Sequence, residues 1–396
     1  MENITFPRKA REKLIKEISH PEIIVLTGMR QVGKTTLLND IYNETRSSNK
    51  IFIDLENPLN QKLFETDNYD DILRELELKG LLRSEKMFVF IDEIQVVPNI
   101  TRIIKYIYDH YKIKFFLTGS SSFYLKNLFP ESLAGRKFTY ELFPLDFEEF
   151  LIFKNQKKTF FPTFEEKAKN KSATNHSRYS SLYMEFLEFG GFPGVVKQPD
   201  RDRKIRALED IFRSYFEKDV RVLSDFKNLS KFRNTALLLS ARCGSKLDIS
   251  KISSEADITR DTLYAYIDFL QSTYFISLVP PYSKNIDGTV RGAKKVYLCD
   301  TGLLNILSRV NPGALLENSI YQSLRGKGEV CYFQKYKGPE IDFILDNKIA
   351  FEVKQSAHVQ DVNRLHGLCR DLGIKERYVI SNKYLPGDTV ISAPDL

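Results

Sequence analysis

The chain has 396 residues, of which 42 % are hydrophobic and 28 % charged, the proportions of a globular protein with two or three hydrophobic cores. Its 19 glycines and 15 prolines exclude a fibrous or low-complexity chain. No run approaches the ~18 apolar residues that a membrane span needs, and the opening residues lack the apolar centre of a secretory signal. We therefore expect a cytoplasmic protein with no membrane partner.

The formal net charge of +7 is by itself weak evidence for a nucleic-acid partner. Much of the excess lies in residues 151–180, where seven lysines and arginines accompany two glutamates. A solvated linker and a DNA contact account for this basic segment equally well. The four cysteines are far apart and form no CxxC pair, so we expect reduced, mostly buried thiols.

Short apolar runs rich in β-branched residues alternate with amphipathic stretches over the first 150 residues. This pattern is typical of a parallel sheet covered by helices. The strand candidates are residues 23–27, 50–55, 87–92 and 114–119. Ligands bind such sheets beyond the carboxyl ends of the strands, and three of these four ends carry Gly, Ser, Thr or carboxylate groups. We therefore expect a functional site at that edge.

Residues 28–35 follow the first strand and read Gly-Met-Arg-Gln-Val-Gly-Lys-Thr, a full match to G-x-x-x-x-G-K-[ST]. The two glycines let backbone N–H groups turn toward phosphate oxygens, and the following helix presents its positive N-terminus to the same anion. Lys34 would reach the β- and γ-phosphates, and the Thr35 hydroxyl would complete a Mg²⁺ shell. The predicted nucleotide contacts are Gly28, Arg30, Gln31, Val32, Gly33, Lys34, Thr35 and Thr36.

A second element supports this site, because a buried apolar strand at 88–91 ends in two acids. Asp92 is suited to hold Mg²⁺, and Glu93 to orient and deprotonate the attacking water; an acidic cap on the next helix is the alternative. The next strand runs into hydroxyl residues that would sense the γ-phosphate. Ser120 is the first choice for that catalytic role and Thr118 the second, with a plain helix N-cap as the competing explanation.

Arg136 lies just before a further strand and completes the predicted catalytic set. A guanidinium in such a place neutralises charge that develops in phosphoryl transfer, in its own subunit or in a neighbouring one. An ordinary structural ion pair is the alternative.

Several of these stretches together resemble a known family. They are residues 28–38, 91–95, 118–121, 133–136 and 142–145, and residues 190–193 and 317–318 match further family positions. The chain resembles, over nearly its full length, the prokaryotic predicted AAA+-superfamily ATPases that pair an AAA-type domain with a C-terminal domain of unknown function. The resemblance implies ATP binding and hydrolysis. The basic segment after Phe150 departs from the family pattern and leaves the boundary of a helical lid open.

Residues 231–310 are predicted to form a winged-helix-like segment. Ile249, Ile252, Ala256 and Ile258 precede a helix with Leu263, Ile267 and Leu270 on one face, which is helix-turn-helix spacing, and two strand-like runs that follow would form a wing. Polar residues at the start of the second helix would meet DNA phosphates or base edges. Winged helices also serve as protein contacts, so both kinds of partner remain open.

The last segment carries a second cluster of acids. Asp342 lies on one predicted strand, and Glu352 and Lys354 lie two residues apart on the next, so they share a face. Two carboxylates and a lysine on one surface can bind Mg²⁺ and attack a phosphodiester. The pattern resembles the PD-(D/E)xK nuclease core, in which Glu317 would supply another metal ligand and Lys354 would stabilise charge. Alternating charges on the solvated face of a sheet are the competing explanation.

The sequence thus predicts an α/β protein with four segments. Residues 1–155 form a P-loop NTPase sheet of AAA type, 156–230 a basic insertion and helical lid, 231–310 a winged-helix-like segment, and 311–396 a restriction-endonuclease-like α/β domain. We expect an ATPase with ATP and Mg²⁺ as cofactors, coupled to DNA-associated action of the last domain. The alternative is a regulatory switch that binds a protein partner through an inactive C-terminal fold. Oligomerisation is compatible with both.

Overall fold

A computed structural model describes residues 7–119, 135–221, 226, 228–283, 292–335 and 338–396. The chain divides into two compact units. The amino-terminal unit comprises Met1–Phe143, Glu217–Ser224 and Ser272–Tyr274, and the carboxy-terminal unit comprises the rest. This division places the first boundary after Phe143, whereas the sequence analysis placed it at residue 155. The predicted boundaries at 230 and 310 stay predictions.

In the amino-terminal unit, the described strands form one parallel sheet in the order β2-β3-β4-β1-β5. The strands are β1 (Ile23–Thr27), β2 (Lys50–Asp54), β3 (Phe88–Asp92), β4 (Lys114–Gly119) and β5 (Lys137–Glu141). Every residue of β1, β3 and β4 is buried, as expected for inner strands covered on both faces. The prediction of a parallel α/β sheet of the P-loop type is confirmed.

Helices cover this sheet and build its core. They are α1 (Lys9–Lys16), α2 (Lys34–Glu44), α3 (Pro58–Gln61), α4 (Tyr69–Leu78) and α5 (Ile100–Tyr111). The inward faces of α4 and α5 contribute Ile72, Leu76, Ile104 and Ile107 to one hydrophobic cluster with the β3 residues. Because this cluster fixes the sheet from one side, the loops at its carboxyl edge rest on a rigid support.

The carboxy-terminal unit begins with helices and ends with a mixed sheet. The helices are α6 (Phe147–Phe153), α7 (Phe164–Lys169), α8 (Ala173–Phe189), α9 (Pro193–Val196), α10 (Arg201–Ser214), α11 (Leu229–Ala241), α12 (Ile249–Glu255), α13 (Arg260–Ser272), α14 (Thr301–Ser308), α15 (Pro312–Leu324) and α16 (Val359–Leu372). A π-helical segment, Tyr215–Val220, follows α10, and its residues from Glu217 onward belong to the amino-terminal unit.

The sheet of this unit has the order β12-β11-β10-β9-β8 among the described strands. They are β8 (Val330–Gln334), β9 (Glu340–Leu345), β10 (Ile349–Lys354), β11 (Glu376–Ser381) and β12 (Val390–Ser392). Strands β8, β9 and β10 are antiparallel, whereas β10, β11 and β12 are parallel. Strands β9 and β10 carry Asp342 and Glu352 on adjacent strands, in agreement with the two strands that the sequence predicted.

The basic segment 151–180 is folded, so the solvated linker, one of the two explanations that the sequence left open, is wrong. It contains α7 and the start of α8, and two of its lysines are buried. Lys158 Nζ lies 2.7 Å from Asp395 Oδ1. Lys167 Nζ donates to the backbone oxygens of Asp395 and Leu396, both at 2.7 Å. These positive charges therefore balance groups within the unit instead of facing solvent.

The two helices expected in this segment are present as α12 and α13. Ile252, Leu263, Ile267 and Leu270 are all buried, which confirms the predicted apolar face. An antiparallel pair of strands, β6 (Ile276–Val279) and β7 (Lys295–Leu298), follows α13. Whether this arrangement acts as a winged helix stays a prediction.

The structure also bears on two expectations from composition, which concern the cysteines and membrane-spanning helices. Cys243, Cys299, Cys331 and Cys369 are all buried free thiols. Of the helices in the described ranges, none combines the length and the apolar composition that crossing a membrane requires.

Candidate functional site

The loop of residues 28–33 joins β1 to α2 and needs glycine at both ends. Gly28 has φ +150°, and a Cβ there would lie 2.1 Å from the backbone oxygen of Leu142. Gly33 has φ +96° and is the N-cap of α2. Glycine adopts such angles without steric cost. The loop can therefore bring its backbone close to a ligand, with the N-terminal N–H groups of α2 directed at an anion.

Lys34 is folded into this loop. Its side chain is almost fully buried, and its Nζ donates to the backbone oxygens of Gly28 (2.9 Å) and Met29 (3.0 Å). Burial lowers the pKa of Lys34, while the carboxylates of Glu93 and Asp219 oppose that shift. The ammonium group thus lies where the motif requires it, and its present partners are neutral carbonyls that an anion can replace.

Asp92 ends β3 beside the first turn of α2. Its carboxylate is 3 % exposed and accepts hydrogen bonds from the hydroxyls of Thr118 and Thr35. Burial raises the pKa of Asp92, and these two hydrogen bonds partly offset the rise. A carboxylate and a hydroxyl in mutual contact offer the hard oxygen ligands that Mg²⁺ takes in nucleotide sites, so Thr35 and Asp92 fit the predicted metal.

Glu93 follows Asp92 in a left-handed backbone conformation, with φ +56°. Its N–H donates to the Thr118 hydroxyl at 3.0 Å, and its carboxylate accepts from the Gln95 side chain. A non-glycine residue in this region is uncommon and needs support from its surroundings. Thr118 and Gln95 provide that support, and they fix the direction in which the Glu93 carboxylate leaves the strand.

The other predicted loop residues take different positions. Arg30 is partly buried and forms an ion pair with Asp219. Gln31 is exposed with φ +63°, whereas Val32 is fully buried. Thr36, like Thr35, is exposed on the first turn of α2. Ser120 lies outside the described residues, so its predicted role stays a prediction.

Arg136 does not reach this site within its own chain. Its backbone oxygen accepts from the N–H of Ile23, the first residue of β1, and its Nε lies 2.7 Å from Asp109 Oδ1. In a parallel sheet the start of β1 is one strand length away from the loop, roughly 15 Å at ~3.3 Å per residue. The sequence left open whether Arg136 acts in its own subunit or in a neighbouring one, and this position does not favour the first alternative. A role in a neighbouring subunit stays a prediction.

The carboxy-terminal acids come together as the sequence predicted, but not as three metal ligands. Asp342 Oδ2 accepts from the N–H of Val353 on the neighbouring strand at 2.7 Å. Glu352 is 3 % exposed, and its Oε1 accepts from Lys354 (2.6 Å) and Arg364. Its Oε2 is buried without a hydrogen-bond partner among the described residues. Such an oxygen fits a cation.

Glu317 has partners of its own. It accepts from Tyr297 at 2.7 Å and lies 3.2 Å from Lys295 Nζ, which also pairs with Glu340. Burial raises the pKa of Asp342, and the nearby charges of Glu317 and Glu352 raise it further. Within the described residues, no three Asp, Glu, His or Cys side chains are arranged to hold a metal ion. That all three carboxylates bind one metal ion therefore stays a prediction, and Asp342 and Glu352 lie on adjacent strands.

Comparison with known sequences finds matching family models along much of the chain. Residues 20–151 match the family model of an AAA domain. Most of this matched stretch lies in the amino-terminal unit, which is thus similar to AAA domains. Residues 180–314 and 312–391 match two further models, each described as a domain of unknown function (DUF8612 and DUF4143). The expected pairing of an AAA domain with C-terminal domains of unknown function is confirmed.

Relatives of similar length carry no assigned activity. An uncharacterized protein of Methanocaldococcus jannaschii is 28 % identical over 395 residues, covering 94 % of this chain and 85 % of the relative. One of Haemophilus influenzae is 26 % identical over 386 residues, covering 91 % and 89 %. A solved structure, the Aeropyrum pernix ORC2 protein in its ADP form, is 12 % identical over 70 % of this chain and 88 % of its own, with a TM-score of 0.39.

The structure also places residues beside the loop 28–33 that the sequence did not single out. Arg8 donates to the backbone oxygens of Val32 and Phe143, both at 2.7 Å, and so fixes the loop from outside. Asp219 pairs with Arg30 from 189 residues further along the chain. Neither residue belongs to a local motif, and a contact across such a sequence distance leaves no periodic signal. Gln95, which holds Glu93, is two residues from it and was within reach of sequence reasoning.

Proposed function

We propose that the protein binds ATP with Mg²⁺ in the AAA domain and hydrolyses it. The observation that carries the proposal is the meeting of Thr35, Asp92 and Glu93 at the carboxyl edge of one parallel sheet, beside the buried amine of Lys34. The AAA-domain match supports ATP binding in general. An acid pair at this place favours water as the acceptor of the phosphoryl group.

In this mechanism each residue has one task. Lys34 would exchange its two carbonyl partners for β- and γ-phosphate oxygens, and the N–H groups of the loop and of α2 would bind the remaining oxygens. Thr35 and Asp92 would hold Mg²⁺, which supplies charge neutralisation on the phosphates. Glu93, oriented by Gln95 and Thr118, would hold the attacking water and take its proton.

Nucleotide titration of a matched pair of variants tests this assignment. Lys34→Ala should reduce ATP affinity by about a hundredfold or more, because a charge-assisted contact to the phosphates is lost. Lys50→Ala is the control, since Lys50 also donates to two backbone oxygens, of Tyr42 and Thr45, in the same unit. Equal affinity in wild type and Lys34→Ala would refute the assignment.

We propose that ATP hydrolysis is coupled to an activity of the carboxy-terminal unit. A DNA-associated action is the first candidate, since Asp342, Glu352 and Lys354 retain a nuclease-like pattern and the buried Glu352 Oε2 has no hydrogen-bond partner in the described part of the chain. The second candidate is a switch that binds a protein partner. It is favoured by the cations Lys354 and Arg364, which already neutralise Glu352.

Cleavage of supercoiled plasmid by the full chain with Mg²⁺ or Mn²⁺ separates these candidates. DNA-associated cleavage should disappear in Asp342→Asn and Glu352→Gln and persist in Glu185→Gln. Glu185 is the control because it too is a carboxylate held by two cations, Lys154 and Lys204, in the same unit. Absence of cleavage by the wild type with either metal ion would favour the protein-binding switch.

A further inference from the structure

A buried acid lies among the cations of the nucleotide loop. Asp219 Oδ1 is 2.8 Å from Arg30 Nε, and its side chain is 2 % exposed. Residues 217–224 belong to the same compact unit as the loop, although they are distant in sequence. The pair is therefore internal to the amino-terminal unit, although Asp219 lies outside the residues that match the AAA model.

The field of Asp219 extends beyond Arg30. Its charge acts on the ammonium of Lys34, and the charges of Lys34 and Glu93 act on Asp219 in turn. The loop thus has a carboxylate as a counter-ion. A triphosphate held by Lys34 would bring several negative charges into the same low-dielectric space, where like charges repel strongly.

The backbone around Asp219 is also unusual. Tyr215–Val220 forms a π-helix, a conformation that is rare and concentrates at functional sites. An extra residue per turn gives such a segment an alternative, α-helical hydrogen-bond register. A change of register would move the carboxylate away from Arg30 without unfolding the segment.

We propose that Asp219 is an autoinhibitory anion, which occupies Arg30 and Lys34 electrostatically until the phosphates of ATP displace it. This inference rests on the proposed nucleotide function. It predicts that removal of the Asp219 charge strengthens ATP binding, because the protein no longer has to separate an ion pair first. If Asp219 instead served only to position Arg30 for the phosphates, its substitution would weaken ATP binding.

The test compares the affinities of the full chain for ATPγS and AMP by calorimetry. Asp219→Asn should tighten ATPγS binding by about tenfold, within the usual range of coupling between sites, and should leave AMP binding nearly unchanged. Asp40→Asn is the matched control, since Arg11 Nε and Asp40 Oδ2 form a similar pair at 2.6 Å in the same unit. Unchanged or weaker binding of ATPγS to Asp219→Asn would overturn the proposal.

A second measurement uses the unaltered protein. Carbodiimide labelling of Asp219, read by mass spectrometry, should increase when ATPγS is bound, while labelling of Asp40 stays constant. Labelling of Asp219 that does not respond to bound ATPγS would contradict displacement. If the wild type and the variants all fail to bind ATPγS, the proposed nucleotide function is wrong. If the wild type binds ATPγS and Asp219→Asn does not bind it more tightly, only the proposed role of Asp219 is wrong.

Discussion

The hydroxyl of Thr118 donates a hydrogen bond to the buried carboxylate of Asp92. The same oxygen accepts the backbone N–H of Glu93 at 3.0 Å. One side chain at the end of β4 therefore holds both acids of the neighbouring strand. A hydroxyl can fill this place because it is donor and acceptor at once, and an apolar side chain of equal size cannot.

Thr118→Val should reduce the turnover number of ATP hydrolysis by about tenfold to a hundredfold with a smaller change in ATP affinity. The substitution keeps the shape but leaves the N–H of Glu93 and the Asp92 carboxylate without this partner, which also costs about 1–3 kcal/mol of stability. Steady-state ATPase assays and thermal unfolding measure both effects. Thr118→Ser, which keeps the hydroxyl, should be nearly normal; equal loss in both variants would contradict the bridging role.

Asp219 should give the protein a distinctive pH dependence of stability. Burial raises its pKa to about 6, although Arg30 and Lys34 lower it, and Glu93 adds a further rise. The folded state then binds more protons than the unfolded state between pH ~4 and ~6, so wild-type stability should fall as pH rises through this window. Asp219→Asn lacks this titrating group. Its free energy of unfolding, compared with that of the wild type at the same pH, should therefore be up to about 3 kcal/mol larger at pH 8 than at pH 4.

Urea unfolding of the two proteins at several pH values measures this difference. Asp40→Asn serves again as the control for loss of an Arg–Asp pair. A difference between wild type and Asp219→Asn that is constant from pH 4 to pH 8 would show that Asp219 is not a buried titrating group.

Lys295 should be essential for the stability of the carboxy-terminal unit. Burial alone would lower its pKa, but Glu317, Asp342 and Glu340 together raise it. Lys295→Met should therefore cost about 3–5 kcal/mol, the penalty for leaving buried acids without their cation. Chemical denaturation measures the loss. Mn²⁺ should partly restore the thermal stability of Lys295→Met, because a cation would again neutralise the acidic cluster. A small loss of stability that Mn²⁺ does not change would refute the electrostatic role of Lys295.

The ion pair of Lys158 and Asp395 gives a fourth prediction. The Lys158 side chain is 4 % exposed and that of Asp395 14 %. Lys158→Met or Asp395→Ala alone should destabilise the protein by about 3–5 kcal/mol, because one charge is left buried. The double variant should recover a large part of that loss. Additive losses in a double-mutant cycle would show that the two groups act independently.

Much of the amino-terminal unit could be predicted from local sequence. The strands 23–27, 87–92 and 114–119 are apolar runs that only a buried strand explains, and the glycines and Lys34 follow from the chemistry of phosphate binding. The hairpin that joins Asp342 to Glu352 was equally accessible, because a short turn fixes which residues of two antiparallel strands are neighbours.

Other assignments depended on tertiary position. Arg136 follows a Gly turn and precedes a strand in a manner that suits a catalytic arginine, yet it lies at the amino-terminal end of that strand and pairs with Asp109. Lys158 and Lys167 belong to a basic segment that looks solvated, but the fold buries them against residues 395 and 396. Composition does not report which charges find a partner.

The sequence by itself determined the parallel sheet, the phosphate-binding loop and the pair of acids that follows β3, because each depends on residues near one another in the chain. Only the tertiary structure decided that Asp219 lies against Arg30, that Thr118 joins Asp92 to Glu93, and that Glu317 has Lys295 as its partner. These contacts unite segments separated by tens to hundreds of residues. Their energies depend on burial and on the distance between charges, which are properties of the folded chain.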